Sequence, residues 1–135
     1  MYVRWLGIDG FKLLRDFELD FTRGGEPRMW TVLVGRNGLC KTAILRALAL
    51  AASGRDRANQ LAQGLHRSMR DARDEQRALT ILGKFGFGEM GERYGRHYPG
   101  IADGMAARLQ TRLELLPDRQ IFEGSSWYGP TFRRG

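Results

Sequence analysis

Residues 30–50, WTVLVGRNGLCKTAILRALAL, set two apolar runs on either side of a short polar loop, and their order decides how the chain is read. The first run, WTVLVG at 30–35, is continuous rather than alternating, the pattern of a strand buried on both faces as in a parallel sheet. The second, AILRALALAA at 43–52, is apolar nearly all round except at Arg46 and ends at Ser53 and Gly54, a helix stop. Strand, glycine-containing loop and helix in that order is the framework that cradles phosphates.

The loop itself reads Gly35-Arg36-Asn37-Gly38-Leu39-Cys40-Lys41-Thr42. It matches G-x-x-x-x-G-K-[ST] at every named position except one, where Cys40 replaces glycine. Successive backbone N–H groups of such a loop form an anion nest, and the positive end of the following helix adds to it. Gly35, Arg36, Asn37, Gly38, Leu39, Cys40, Lys41, Thr42 and Ala43 are therefore the candidate nucleotide-binding residues. Lys41 is the candidate catalytic residue, a mobile charge for the β- and γ-phosphates, and the Thr42 hydroxyl is the candidate Mg²⁺ ligand. If position 40 requires a left-handed backbone, a side chain there costs roughly 1–2 kcal/mol and its Cβ crowds the phosphates. Three readings of Cys40 stand side by side: a dead Gly-rich turn, a redox-active thiol beside a cation, and an inert thiol tolerated in a working loop, which is preferred.

Working outward, YVRWLGI at 2–8 and FELDF at 17–21 read as two strands, the second with Phe17, Leu19 and Phe21 on one face. Leu61, Leu65, Met69 and Ala72 predict a surface helix from about Arg57 to Gln76. Residues 78–87 and 108–115 alternate as half-exposed strands, with Leu79, Ile81, Phe85 and Phe87 on one face of the first and Leu109, Leu113 and Leu115 on one face of the second. Between them a loop at 88–107, rich in glycine, reads as mobile or ordered by a partner. Trp5, Trp30 and Trp127 are offered as stacking residues but read better as core. His66 and His97 read as solvent-facing, and Arg93, Arg96, Arg108 and Arg112, with glutamates among them, as a solvated face.

Length and composition set the outer limits. A chain of 135 residues with 42% hydrophobic and 27% charged residues is one domain able to form a core. No run approaches a membrane span and no signal peptide is evident, so a cytoplasmic, soluble protein with no membrane partner is expected. A single cysteine excludes an internal disulfide. The net charge of +7 is spread along the chain, with 8 basic against 5 acidic residues in 1–52, 6 against 4 in 53–77 and 8 against 6 in 78–135. An excess without a basic tail attracts polyanions weakly and names no partner.

The form G-x-N-G-x-x-K-T, with Asn37-Gly38, resembles the loop of ABC-type ATPase heads of the SMC, RecF and SbcC class. Leu6-x-Ile8-x-Gly10-Phe11-Lys12 followed by Phe17-x-Leu19-x-Phe21 is similar to the opening β-hairpin of those heads, and Trp127-Tyr128-Gly129-Pro130-x-Phe132-Arg133 resembles a strand and loop of RecF-like ATPases. The resemblance implies an α/β P-loop fold, here the N-terminal lobe only, with an antiparallel β subdomain. It divides into a β-hairpin (1–29), strand, loop and helix (30–54), a helix (55–77) and a β-rich segment (78–135). It further implies ATP and Mg²⁺ as cofactors, a contact from Lys12 to phosphate or base, and hydrolysis coupled to DNA repair or phage defence. The Asp-Glu strand and LSGG-like signature of a complete head have no counterpart: the acids of DFELDF at 16–21 alternate with aromatics, LELLPD at 113–118 ends in a turn, and FGFGEM at 85–90 is not a signature. A missing C-terminal lobe or a protein partner is therefore expected, DNA is a further partner, and hydrolysis by this chain alone is left open. An apolar edge at 30–34 and poor behaviour in isolation follow from that expectation. A non-catalytic interaction module and a nucleic-acid-binding domain are the rival readings.

Overall fold

The structure, a computed structural model, describes residues 1–36, 40–88 and 107–130. Strict alternation in the second half of the sequence produces its two longest strands. Leu79–Phe87 (β5, named in chain order) and Ala107–Leu115 (β6) pair antiparallel over their full length, Leu79 opposite Leu115 and Phe87 opposite Ala107. Tyr2–Asp9 (β1) adds to the other side of β5, with an irregularity between Val3 and Trp5, and Phe17–Asp20 (β2) adds to β1. Glu123–Pro130 (β7) completes the far edge. The result is a five-stranded sheet in the order β2-β1-β5-β6-β7, with every neighbour antiparallel. Thr22–Arg23 (β3) and Glu26–Pro27 (β4) form a separate small hairpin.

Period-2 alternation puts the apolar set of each strand on one face. Leu6, Ile8, Leu79, Ile81, Phe85, Leu109, Leu113 and Leu115 are all buried there. Lys41–Ser53 (α1) covers this face with Ala43, Ile44, Ala47, Leu50 and Ala51, whose small members let the helix come close. The closest approach is at Gly83 on β5, where an added Cβ would lie 2.8 Å from Ala51 Cβ. The helix is buried on one side only, not all round: Leu45 is exposed.

Two expected elements fold differently. Residues 30–36 are neither helix nor strand, and Trp30, Val32 and Val34 are 87%, 78% and 89% exposed, with only Leu33 packed against the core. A continuous apolar run is buried on both faces only where something covers both; here the sheet is closed by α1 and no described strand lies alongside the run. The expected parallel strand is thus an exposed apolar segment. The expected long helix at 57–76 is instead Arg55–Leu61 (α2), a left-handed turn at Gly64, His66–Met69 (α3) and turns up to β5. Leu61 and Leu65 face solvent, whereas Ala58, Ala62 and Met69 are buried. His66 is half-buried against the Phe122 ring at 5.8 Å rather than solvent-facing, and burial, with the Arg70 charge beside it, pushes its imidazole below the usual value. His97 and most of the 88–107 loop, with Arg93 and Arg96, lie outside the described residues.

Polar ties hold segment 55–77 in place of a continuous helix. The Asn59 side chain accepts from Phe122 N at 2.7 Å and donates to Phe122 O at 3.1 Å, a two-bond clamp onto the approach to β7. Lys12 N donates to Met69 O and Asp71 N to Gly10 O, fastening the end of α3 to the turn after β1. Asp71, 1% exposed, receives Arg15 Nε at 2.7 Å and Arg73 Nε at 2.9 Å. The hydrogen bonds from Arg73, then those from Arg15, hold its carboxyl far below the usual carboxylate range despite its burial. Arg77 pairs in the same way with Asp9 at 2.9 Å.

Two measurements check this construction. Gly83→Val drives a side chain into Ala51 and Phe85, and is expected to cost about 1–3 kcal/mol in urea unfolding with little change in m. The Asp71 carboxyl gives up its proton more readily folded than unfolded, so the stabilisation from its arginines is complete above the unfolded value of about 4 and is lost as pH falls below it. Asp71→Asn is therefore expected to lower the melting temperature at neutral pH, with the gap from the wild type closing progressively as thermal unfolding is repeated at more acid pH.

Candidate nucleotide site at the start of the first helix

Lys41 opens α1, and the residue before it sets the geometry. Cys40 is the N-cap, at φ 61° and ψ 14°, in the left-handed region. Its carbonyl accepts the first helical bond from Ile44 N at 3.0 Å, and no side chain caps the helix. The first-turn N–H groups, those of Lys41, Thr42 and Ala43 among them, thus have neither an intrahelical acceptor nor a cap, and no acidic side chain sits in that turn. The helix end is electropositive.

The left-handed backbone at Cys40 is the conformation for which the motif carries glycine, and the sequence reading anticipated the cost of a side chain there. Cys40 is half-buried and packs against the edge of the core, and its thiol is free. Lys41 reaches back across the loop, donating from Nζ to Gly35 O at 2.5 Å. The first and seventh residues of the motif are therefore in contact. Gly35, Arg36 and the Thr42 side chain are exposed, and Ala43 is buried under the helix as a core residue. Asn37, Gly38 and Leu39 lie outside the described residues.

Lys12 is placed differently. It adopts a positive φ of 51° in the turn after β1, and its backbone is bonded to Met69. Sequence reasoning missed the Arg15–Asp71–Arg73 cluster, whose Arg73 also donates to Leu13 O at 3.4 Å. No signal joins Arg15 to Asp71 in the sequence, because 56 residues separate them and neither belongs to a spaced motif. Among the described residues no group of three or more His, Cys, Asp or Glu side chains is gathered to hold a metal. The Thr42 hydroxyl is the metal-compatible oxygen that the motif supplies.

The three tryptophans are not core. Trp30 and Trp127 are exposed, and Trp5 is half-buried on the solvent face of the sheet, opposite the core residues of β1. No helix of the described residues is long and apolar enough to cross a membrane.

No protein-family model matches the chain, and no curated protein sequence is similar to it. In three dimensions it is similar to a solved structure from work on the structural biochemistry of ATP-driven dimerization and DNA-stimulated activation of SMC ATPases. The match spans 98% of this chain and 74% of that one, with a TM-score of 0.53 at 20% sequence identity. What the two share at that identity is the fold, an α/β arrangement built on an antiparallel sheet.

Proposed function

We propose that this chain is the ATP-binding N-terminal lobe of an ABC-type ATPase, holding Mg·ATP in the loop and helix start at residues 35–43. The observation that carries the reading is the left-handed Cys40 at the mouth of α1, with Lys41 folded back onto Gly35. Nucleotide entering the loop takes the Lys41 ammonium from the Gly35 carbonyl, exchanging a neutral acceptor for phosphate oxygens. The uncapped first turn of α1 supplies N–H donors to the same phosphates. Thr42 Oγ1 is the residue for Mg²⁺, which when bound neutralises charge on the β- and γ-phosphates. Lys12, in the turn after β1, is assigned a supporting contact to phosphate or base. Hydrolysis also needs carboxylates to hold the metal and position water, and no candidate is gathered among the described residues. A second lobe supplies them in this reading, and the completed ATPase dimerises and couples turnover to work on DNA, in repair or in defence against phage.

The exposed Trp30, Val32 and Val34 side chains support a partner of this kind, since an extended apolar segment beside a nucleotide loop is the surface that a covering strand removes from water. The same feature serves a non-catalytic interaction module. Nucleotide dependence separates the two readings.

Calorimetry on the purified chain is expected to show Mg·ATP binding that Lys41→Ala weakens at least tenfold, without phosphate release by either protein. Cys40→Gly is expected to tighten binding and to raise the melting temperature, by relieving about 1–2 kcal/mol of left-handed strain. Failure of both wild type and Cys40→Gly to bind would remove the nucleotide reading. The chain alone is further expected to self-associate with rising concentration in sedimentation velocity, and Val32→Lys with Val34→Lys to suppress this; an unchanged monomer at every concentration would count against an uncovered segment.

A further inference from the structure

The side of the sheet turned away from α1 carries an ordered row of side chains. Register places Trp5 on β1 opposite Lys84 on β5, Lys84 opposite Gln110 on β6, and Gln110 opposite Trp127 on β7. All four belong to the solvent-directed set of their strands. Three strand spacings separate the tryptophans, about 14 Å. The Lys84 ammonium sits 5.1 Å from the Trp5 ring, and Arg112, 56% exposed, stands one row away on β6. A cavity of about 340 Å³ lies between the two indoles, lined by these residues with Leu82 and Ser125.

Both indoles lie along the sheet instead of standing up from it. A methyl group at Gly7 would collide with Trp5 Cη2, and one at Gly129 would come within 3.0 Å of Trp127 Cζ2, so each ring is bedded on a glycine two residues away on its own strand. Trp127 remains 57% exposed in that position. Trp127 therefore has one open face to offer, whereas the outer face of Trp5 carries the Lys84 ammonium.

We propose that this face is a stacking platform for single-stranded nucleic acid, with one base laid on Trp127, a second taking the place of the Lys84 ammonium on Trp5, and the displaced Lys84 meeting the phosphates between them with Arg112. Three features select this ligand. The centre of the patch is a lysine, a residue depleted at protein–protein interfaces. A neutral sugar would use the rings and leave both cations idle. A duplex hides its base faces within the stack, so only an unpaired strand presents them to a flat sheet. Charge also marks one end of the platform: the row there holds Asp9, Thr80, Glu114 and Glu123, of which Asp9 is paired with Arg77 and Glu114 with Arg112, and Glu123 adds a carboxylate that repels a polyanion. Beyond the tryptophan row on the other side, register places Arg108 on β6. The strand therefore crosses the sheet along the tryptophan row and away from the acidic end. This inference stands apart from the nucleotide loop, which lies at the start of α1 on the opposite face.

The test is fluorescence anisotropy with the whole chain and labelled oligothymidylate, oligouridylate and duplex DNA of about 20 nucleotides, a length that spans the platform. Binding of either single strand is expected to exceed that of the duplex and to weaken steeply between about 50 and 200 mM salt. Trp127→Ala, a change at an exposed position of an edge strand, is expected to weaken it at least about fivefold. Lys84→Ala is expected to lower the salt slope by about one. Lys41→Ala, which disables the loop, is expected to leave oligonucleotide affinity unchanged, so failure of the nucleotide reading and failure of this one are distinguishable. Equal affinity for duplex and single strand, wild-type affinity in Trp127→Ala, loss of affinity in Lys41→Ala or absence of binding would each overturn the proposal. So would a change in sedimentation on Trp127→Ala without oligonucleotide binding, which would assign the face to a protein contact.

Discussion

The contact of α1 with Gly83 is the constraint on which the rest depends. β5 is the middle strand of the sheet, and the helix rests where that strand has no side chain. Alanines at 43, 47 and 51 complete the fit from the helix side. That approach settles which face of every strand is dry, and it fixes the position of the helix start. Cys40 and Lys41 are placed by packing some three turns away as much as by the loop that carries them.

Polar groups do in the segment after α1 what apolar periodicity does elsewhere. Asn59 clamps the backbone at Phe122 as a neighbouring strand would, and the Arg70 guanidinium binds the carbonyls of Leu116 and Arg119. Asp71 gathers two arginines from opposite directions in the sequence. Such bonds are directional, so the segment is held in one arrangement without presenting a continuous apolar stripe.

These two modes of construction explain what could be read from the sequence. Strands at 79–87 and 107–115 were legible because one face is dry and the other wet, which forces alternation. The left-handed backbone at Cys40 was legible because the glycine position of the motif asks for it, whereas the roles given to Lys41 and Thr42 rest on spacing and its chemical meaning. Residues 30–34 misled for a physical reason: apolar continuity reports a preference for burial, and burial requires a covering element. The stripe at Leu61, Leu65 and Met69 misled because spacing alone does not register a left-handed turn at Gly64. The tryptophans misled because an aromatic residue in an apolar strand looks the same from either face until register is known, and the glycines that bed the rings are visible only once the strands are paired.

Residues 30–34 run without interruption into Gly35, whose carbonyl holds the Lys41 ammonium. A single covalent stretch thus joins the exposed apolar surface to the atom that, in the proposed nucleotide reading, phosphate would displace from lysine. On that reading linkage would make the relation reciprocal: a partner whose ordering of the segment altered anion binding would have its own affinity altered by the anion by the same factor. The Lys41–Gly35 bond is in that sense a latch with two keys, and neither key needs to touch the other.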